Sequence, residues 1–89
     1  MILNNLSNNL PNPFNPVTKI SYQIAKDGFV KLNVFDIAGR EVKTIVNEFK
    51  TAGSYETVFD GSGISSGTYF YRIETSNGFK DTKRMILIK

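Results

Sequence analysis

A chain of 89 residues makes one small domain that buries roughly 60–65% of its unfolded surface and leaves little volume for an enclosed active site. It has no cysteine and no histidine, so disulfides, thiolate metal sites, the commonest general base and the softest nucleophile are all excluded. Eleven basic residues against eight acidic ones give +3, milder than the basic face of a nucleic-acid module, so no nucleic-acid partner is expected.

Met1-Ile2-Leu3 runs at once into Asn4-Asn5, which leaves no signal-peptide core, and no apolar run nears the ~20 residues that span a bilayer. Residues 1–9 are expected to be a polar tether with nothing to pack, and 10–89 the folded domain. Pro11-Asn12-Pro13-Phe14-Asn15-Pro16 holds every proline in the chain. Each proline fixes its own φ and biases the residue before it toward extended geometry, so a stiff, partly polyproline-like collar is expected, anchored by Phe14.

Behind the collar the strand patterns are dense. Lys19 to Ile24 alternates without a break, with Ile20, Tyr22 and Ile24 inward. Lys26-Asp27-Gly28 turns the chain, and Val30, Leu32 and Val34 continue period two. Asp36-Ile37-Ala38-Gly39 fits a type I turn opening a hairpin. Glu41 to Lys50 is ambiguous. Val42, Ile45, Val46 and Phe49 have helical spacing, but the β-branched content and the preceding turn favour a strand through Val46, irregular afterward. Tyr55, Thr57 and Phe59 alternate with Glu56, Val58 and Asp60 in the next strand. The glycine- and serine-rich stretch from Gly61 to Gly67 precedes a strand and not a helix, so it reads as a flexible crossover rather than a phosphate loop. Thr68 to Thr75 is the strongest strand pattern, and Ser76-Asn77-Gly78 turns it back into Phe79 to Ile88.

This pattern specifies an all-β, immunoglobulin-like antiparallel sandwich of about seven strands. The register of the last hairpin can be chosen. A two-residue turn would set Arg72 against Lys83, like charges face to face. A three-residue loop with Gly78 left-handed pairs Thr75 with Phe79, Glu74 with Lys80, Tyr71 with Lys83 and Tyr69 with Met85. The second register is preferred. It places Tyr69, Tyr71, Met85 and Leu87 in the core and Ile86 and Ile88 on the opposite face, where a one-residue slip would exchange the sets. Met85 to Ile88 is apolar at four consecutive positions, so the second face is either covered by the collar or open for docking.

Chemistry is sparse. No catalytic, cofactor or metal-ligating residues emerge, and Asp36 and Asp60, each at a strand end, read as turn stabilisers and not as calcium ligands. The ordered set of Pro11 to Pro16, Thr18 to Tyr22, Val34-Phe35-Asp36, Gly39 to Val42, Ala52-Gly53, Phe59-Asp60-Gly61, Ser66 to Arg72 and Lys83 to Lys89 resembles the type IX secretion system C-terminal sorting domain (type A). That sandwich is in turn similar to the Ig-like domain of the flagellar hook-capping protein. The resemblance implies a C-terminal label on a larger cargo protein in Bacteroidota and related bacteria. The cargo domain would be covalently linked on the N-terminal side. It would cross the periplasm, be recognised by outer-membrane type IX translocon components, and be cut from the label by a sortase-like cysteine peptidase. The cargo would then be secreted or held at the cell surface. Carried over by position, the recognition residues are Pro11, Asn12, Pro13 and Phe14, then Gly67, Thr68 and Tyr69, then Lys83, Ile86, Ile88 and Lys89. Leu10 and Phe59 stand where the family often has Tyr and Trp. Two alternatives are a structural or adhesive Ig-like module of hook-cap type, and a carbohydrate-binding module with Tyr22, Tyr55, Tyr69 and Tyr71 as its platform.

Overall fold

In a computed structural model, which describes residues 2–89, the alternating segments become strands of two antiparallel sheets packed face to face. β1 (Asn5–Leu6), β2 (Val17–Ile24) and β5 (Gly53–Asp60) form one sheet in the order β1-β2-β5. β3 (Gly28–Asp36), β4 (Glu41–Lys50), β6 (Gly67–Thr75) and β7 (Lys80–Leu87) form the other, in the order β4-β3-β6-β7. The expected all-β sandwich of about seven strands is therefore what forms.

Period two decides which side chains meet between the sheets. Ile20, Tyr22 and Ile24 of β2, Val30, Leu32 and Val34 of β3, and Tyr69, Tyr71 and Ile73 of β6 are all buried. Met85 and Leu87 join them from β7, and Phe59 from β5. The turn at Asp36 closes as expected, with Gly39 N–H donating to Asp36 O at 3.0 Å and Gly39 at φ +83°. The last hairpin adopts the three-residue loop: Thr75 N–H donates to Phe79 O at 2.9 Å and Gly78 sits at φ +92°. Glu74 faces Lys80, Tyr71 faces Lys83 and Tyr69 faces Met85, so the preferred register is the one present.

Two expectations are corrected. β4 runs unbroken to Lys50, and its irregularities lie before Val46, not after it. Leu32 pairs with Val46 but Asn33 with Thr44, and Val34 pairs with Lys43 but Phe35 with Glu41, so Ile45 and Val42 are each an extra residue. Each bulge flips the phase of the alternation, which lets Val42, Ile45 and Val46 all face the core. The helical spacing is the imprint of two bulges on a strand. Phe49 falls outside that set: it is 63% exposed, opposite Phe29 on the outer surface.

The second correction concerns the stretch expected to be a tether. Leu6 is 1% exposed and belongs to the core. Asn5 and Leu6 pair with Gln23 and Tyr22. Asn4 Oδ1 accepts from Ala25 N–H at 2.9 Å, and Ser7 O accepts from the Tyr71 hydroxyl at 2.6 Å. The leucine buried against β2 contributes ~2 kcal/mol toward ordering its polar neighbours, beside these hydrogen bonds.

Candidate functional site: the end closed by the collar

The collar crosses from one sheet to the other within four residues. Leu10 bridges Lys19 of β2, and Phe14 bridges Leu87 of β7 in parallel. The backbone bends at Pro11–Pro13 and again at Asn15–Pro16, so the collar is not the extended polyproline-like lead-in expected of it. Its underside is held by buried polar groups. Asn9 Nδ2 donates to Thr18 Oγ1 at 3.1 Å and to Pro11 O at 3.2 Å, and Thr18 Oγ1 donates to the same carbonyl at 2.9 Å. Leu10, by contrast, stays 72% exposed.

Phe14 joins the collar to the last strand by backbone and side chain together. Its N–H donates to Ile86 O at 2.9 Å, and its carbonyl accepts from Ile88 N–H at 2.9 Å. Its ring, 1% exposed, meets Phe59 edge-on at 6.0 Å. Asn12 Oδ1 accepts from Ile86 N–H at 3.0 Å. β7 is an edge strand, yet in its second half the collar already occupies the backbone groups that a docking strand would need. Ile86 and Ile88 keep their side chains outward, half-buried and 50% exposed respectively. So the collar covers their backbone and leaves their side chains available.

Across β7 lies the second expected element. Gly67 faces Leu87, Thr68 faces Ile86 and Tyr69 faces Met85, so Phe14, Leu87 and Gly67 form one row across three segments. Tyr69 is buried with its hydroxyl donating to Ser65 O at 2.6 Å, which pins the crossover beside it. Lys89 is tied to the same crossover: its N–H donates to Ser66 Oγ at 3.1 Å and its ammonium to Ser62 O at 2.8 Å. Lys83 is the outlier, far along β7 opposite Tyr71.

The crossover carries residues that sequence reasoning passed over as flexible. Gly61 is buried where a Cβ would sit 3.0 Å from Leu87 Cδ2 and 3.3 Å from both Phe14 Cε2 and Pro16 O. Its N–H donates to Pro16 O at 2.8 Å. Any larger residue would have to push the collar, the crossover or β7 apart by a few tenths of an ångström. Nothing in the local sequence distinguishes Gly61 from Gly63 or Gly67. A signal was available for Thr18, a polar residue in phase with Ile20, Tyr22 and Ile24. Asp60 behaves as expected of a turn stabiliser. Its carboxylate accepts from the Ser62 hydroxyl and from Ser62 N–H, and these bonds, with the nearby Lys43 and Lys89 charges, hold it below the usual carboxylate range.

Over residues 9–89 the chain matches the secretion system C-terminal sorting domain family. The chain belongs to that family. As a sorting domain it is the C-terminal signal of type IX secretion cargo, and the structural-module and sugar-binding alternatives are not favoured. Geometry also speaks against a sugar platform: Tyr22, Tyr69 and Tyr71 are buried, and Tyr55 stacks on Tyr22 at 5.5 Å. No curated protein matches the sorting domain. Among solved structures it is similar to CopC from Methylosinus trichosporium OB3b, at 15% identity and a TM-score of 0.46, over 96% of this chain and 91% of that one.

Proposed function

We propose that the closed end of the sandwich is the surface read by the outer-membrane components of the type IX translocon. It comprises the collar from Pro11 to Phe14, the Gly67–Tyr69 segment, and Ile86 to Lys89. The observation that carries this reading is the Phe14 bridge, which sets three segments distant in sequence side by side. Pro13, Asn12, Ile88 and Lys89 present their side chains at that end to solvent, over a base fixed by Phe14, Gly61 and Leu87. Lys83 takes no part. The domain itself does no catalysis. Cargo linked on its N-terminal side crosses the periplasm, passes the translocon, and is cut away by a sortase-like cysteine peptidase before release or attachment at the surface. Because Asn4, Leu6 and Ser7 are held in the fold, the cut falls N-terminal to Asn4.

The test is a reporter placed behind a signal peptide and ahead of this chain in a type IX-competent cell. The reporter should leave the cell, and should stay in the periplasm of a strain lacking the translocon. Ile86→Ser with Ile88→Ser should keep the urea midpoint within ~0.5 M of the parent's while export falls several-fold, since neither side chain is in the core. Export unchanged in the translocon-deficient strain defeats the assignment. Export unchanged in the double variant removes the closed end from it.

A further inference from the structure

The outer surface of the four-stranded sheet should be polar, since one sheet face is already in the core. Four of the chain's seven phenylalanines are there instead: Phe29, Phe35, Phe49 and Phe70. Phe29 and Phe49 are directly opposite and 45% and 63% exposed. Phe35 and Phe70 are also directly opposite, at the other end of the strands, and only half-buried. Beside this second pair, a groove of about 330 Å³ is lined by Phe35, Asp36, Ile37, Gly39, Phe70, Arg72 and Thr82. Ile37, at the tip of the β3–β4 turn, is 77% exposed.

Charge on this face is lopsided. The register places Lys31, Arg72, Lys80 and Arg84 here against Glu41 and Glu74. Glu74 serves two of the cations, Arg72 at 3.0 Å and Lys80 at 3.9 Å. Arg72 also lies over the Phe35 ring, 4.6 Å from its centroid, so its guanidinium is held flat at the groove wall. Arg84 stands on β7 directly opposite Phe70, exposed and without an ion pair among the described residues. Asp36, the one acid at the groove, has its carboxylate taken up by Arg40 and by the Ala38 and Arg40 N–H groups.

We propose that this face binds an acidic, apolar-bearing segment of another protein, whose large side chain enters the groove between Phe35 and Phe70 while its carboxylates meet Arg72 and Arg84. A second copy of this chain fits poorly, because two such faces would oppose four cations to four cations. This face adjoins the closed end through Thr68 and Ile86, but the groove shares no residue with it and its binding does not depend on recognition there.

The probe is a twelve-residue peptide alternating Glu with Phe and Leu, titrated into the ¹⁵N-labelled chain, with a control peptide carrying Lys in place of every Glu. Saturable shifts should centre on Phe35, Ile37, Phe70, Thr82 and Arg84, and weaken as salt rises. The Lys peptide should bind at least ~10-fold more weakly. Arg84→Glu, fully at the surface, should cost a similar factor, and Phe70→Ser should abolish the shifts while the rest of the spectrum stays folded. No saturable shift, shifts centred on the collar or β5, or equal binding of both peptides overturns the proposal. So do shifts on this face that grow with protein concentration in the absence of peptide, which would assign it to a second copy.

Discussion

Replacing Tyr71 by Phe removes one oxygen from the middle of the sandwich and unties β1 from β6. Tyr71 is 0% exposed, and its hydroxyl donates to Ser7 O at 2.6 Å across 64 positions of sequence. The ring survives the change, so no cavity term of the large-to-small kind arises. What remains is one hydrogen bond and one carbonyl left without its donor. Ser7 is only half-buried and water can reach it, which puts the cost at ~1–2 kcal/mol. With a urea slope of ~1 kcal/mol/M for so small a domain, the midpoint should fall by about 1–2 M. A second readout comes from alkali. Burial pushes the Tyr71 hydroxyl up to about 12 from its ordinary 10.0. A group whose folded pKa is raised gives its stabilisation in full below the unfolded value and loses it as pH climbs toward the folded one. The parent should therefore lose stability between pH 10 and 12, by on the order of 2–3 kcal/mol from this residue. Tyr71→Phe should lose visibly less over that range, though not nothing, because burial also raises Tyr22 and the Glu48 bond raises Lys50. Amide exchange at Leu6 and Ser7 should accelerate in the variant ahead of β3. Equal urea midpoints, or parallel pH profiles, would refute the anchoring of the N-terminal segment.

Two further substitutions probe the closed end. Gly61→Ala forces a methyl against Leu87, Phe14 and the Pro16 carbonyl, and should destabilise by ~1–3 kcal/mol in a urea melt; a midpoint equal to the parent's would mean the three segments are not closely packed there. Tyr69→Ala empties a core position and frees Ser65 O, so a loss of roughly 3–5 kcal/mol and an unfolded or molten near-ultraviolet spectrum are expected.

What the sequence makes readable follows from how many independent constraints act on each piece. The last hairpin can be placed to the residue because charge pairing, the Ser76-Asn77-Gly78 loop and the burial of Tyr69 and Met85 all favour one register. β4 escapes the same treatment. Its bulges at Val42 and Ile45 are set by its fit to β3, and period counting along one strand mistakes two phase changes for a helix. Leu6 is missed for the opposite reason: one apolar residue among asparagines has no periodicity, and its burial depends on a space left by β2 and Tyr71. Of the residues assigned by resemblance, ten of the eleven share one end of the fold, Lys83 being apart. The groups that hold them there, Asn9, Gly61 and Ser62, speak only once the chain is folded, and only Thr18 among their neighbours shows a signal beforehand.

Asn12 and Ile86 lie 74 positions apart and are joined by a single hydrogen bond, with Phe14 bonded on both sides of Leu87 next to it. Contacts of that range form late, after the intervening strands have found each other. A chain emerging from its start therefore makes the collar early but cannot complete the surface until the last strand has docked. A machine that reads this surface is reading a state as well as a sequence. A misfolded chain carries the same prolines and the same Ile86 and yet displays nothing. Passage through such a reader would certify that the tail, at least, had finished folding.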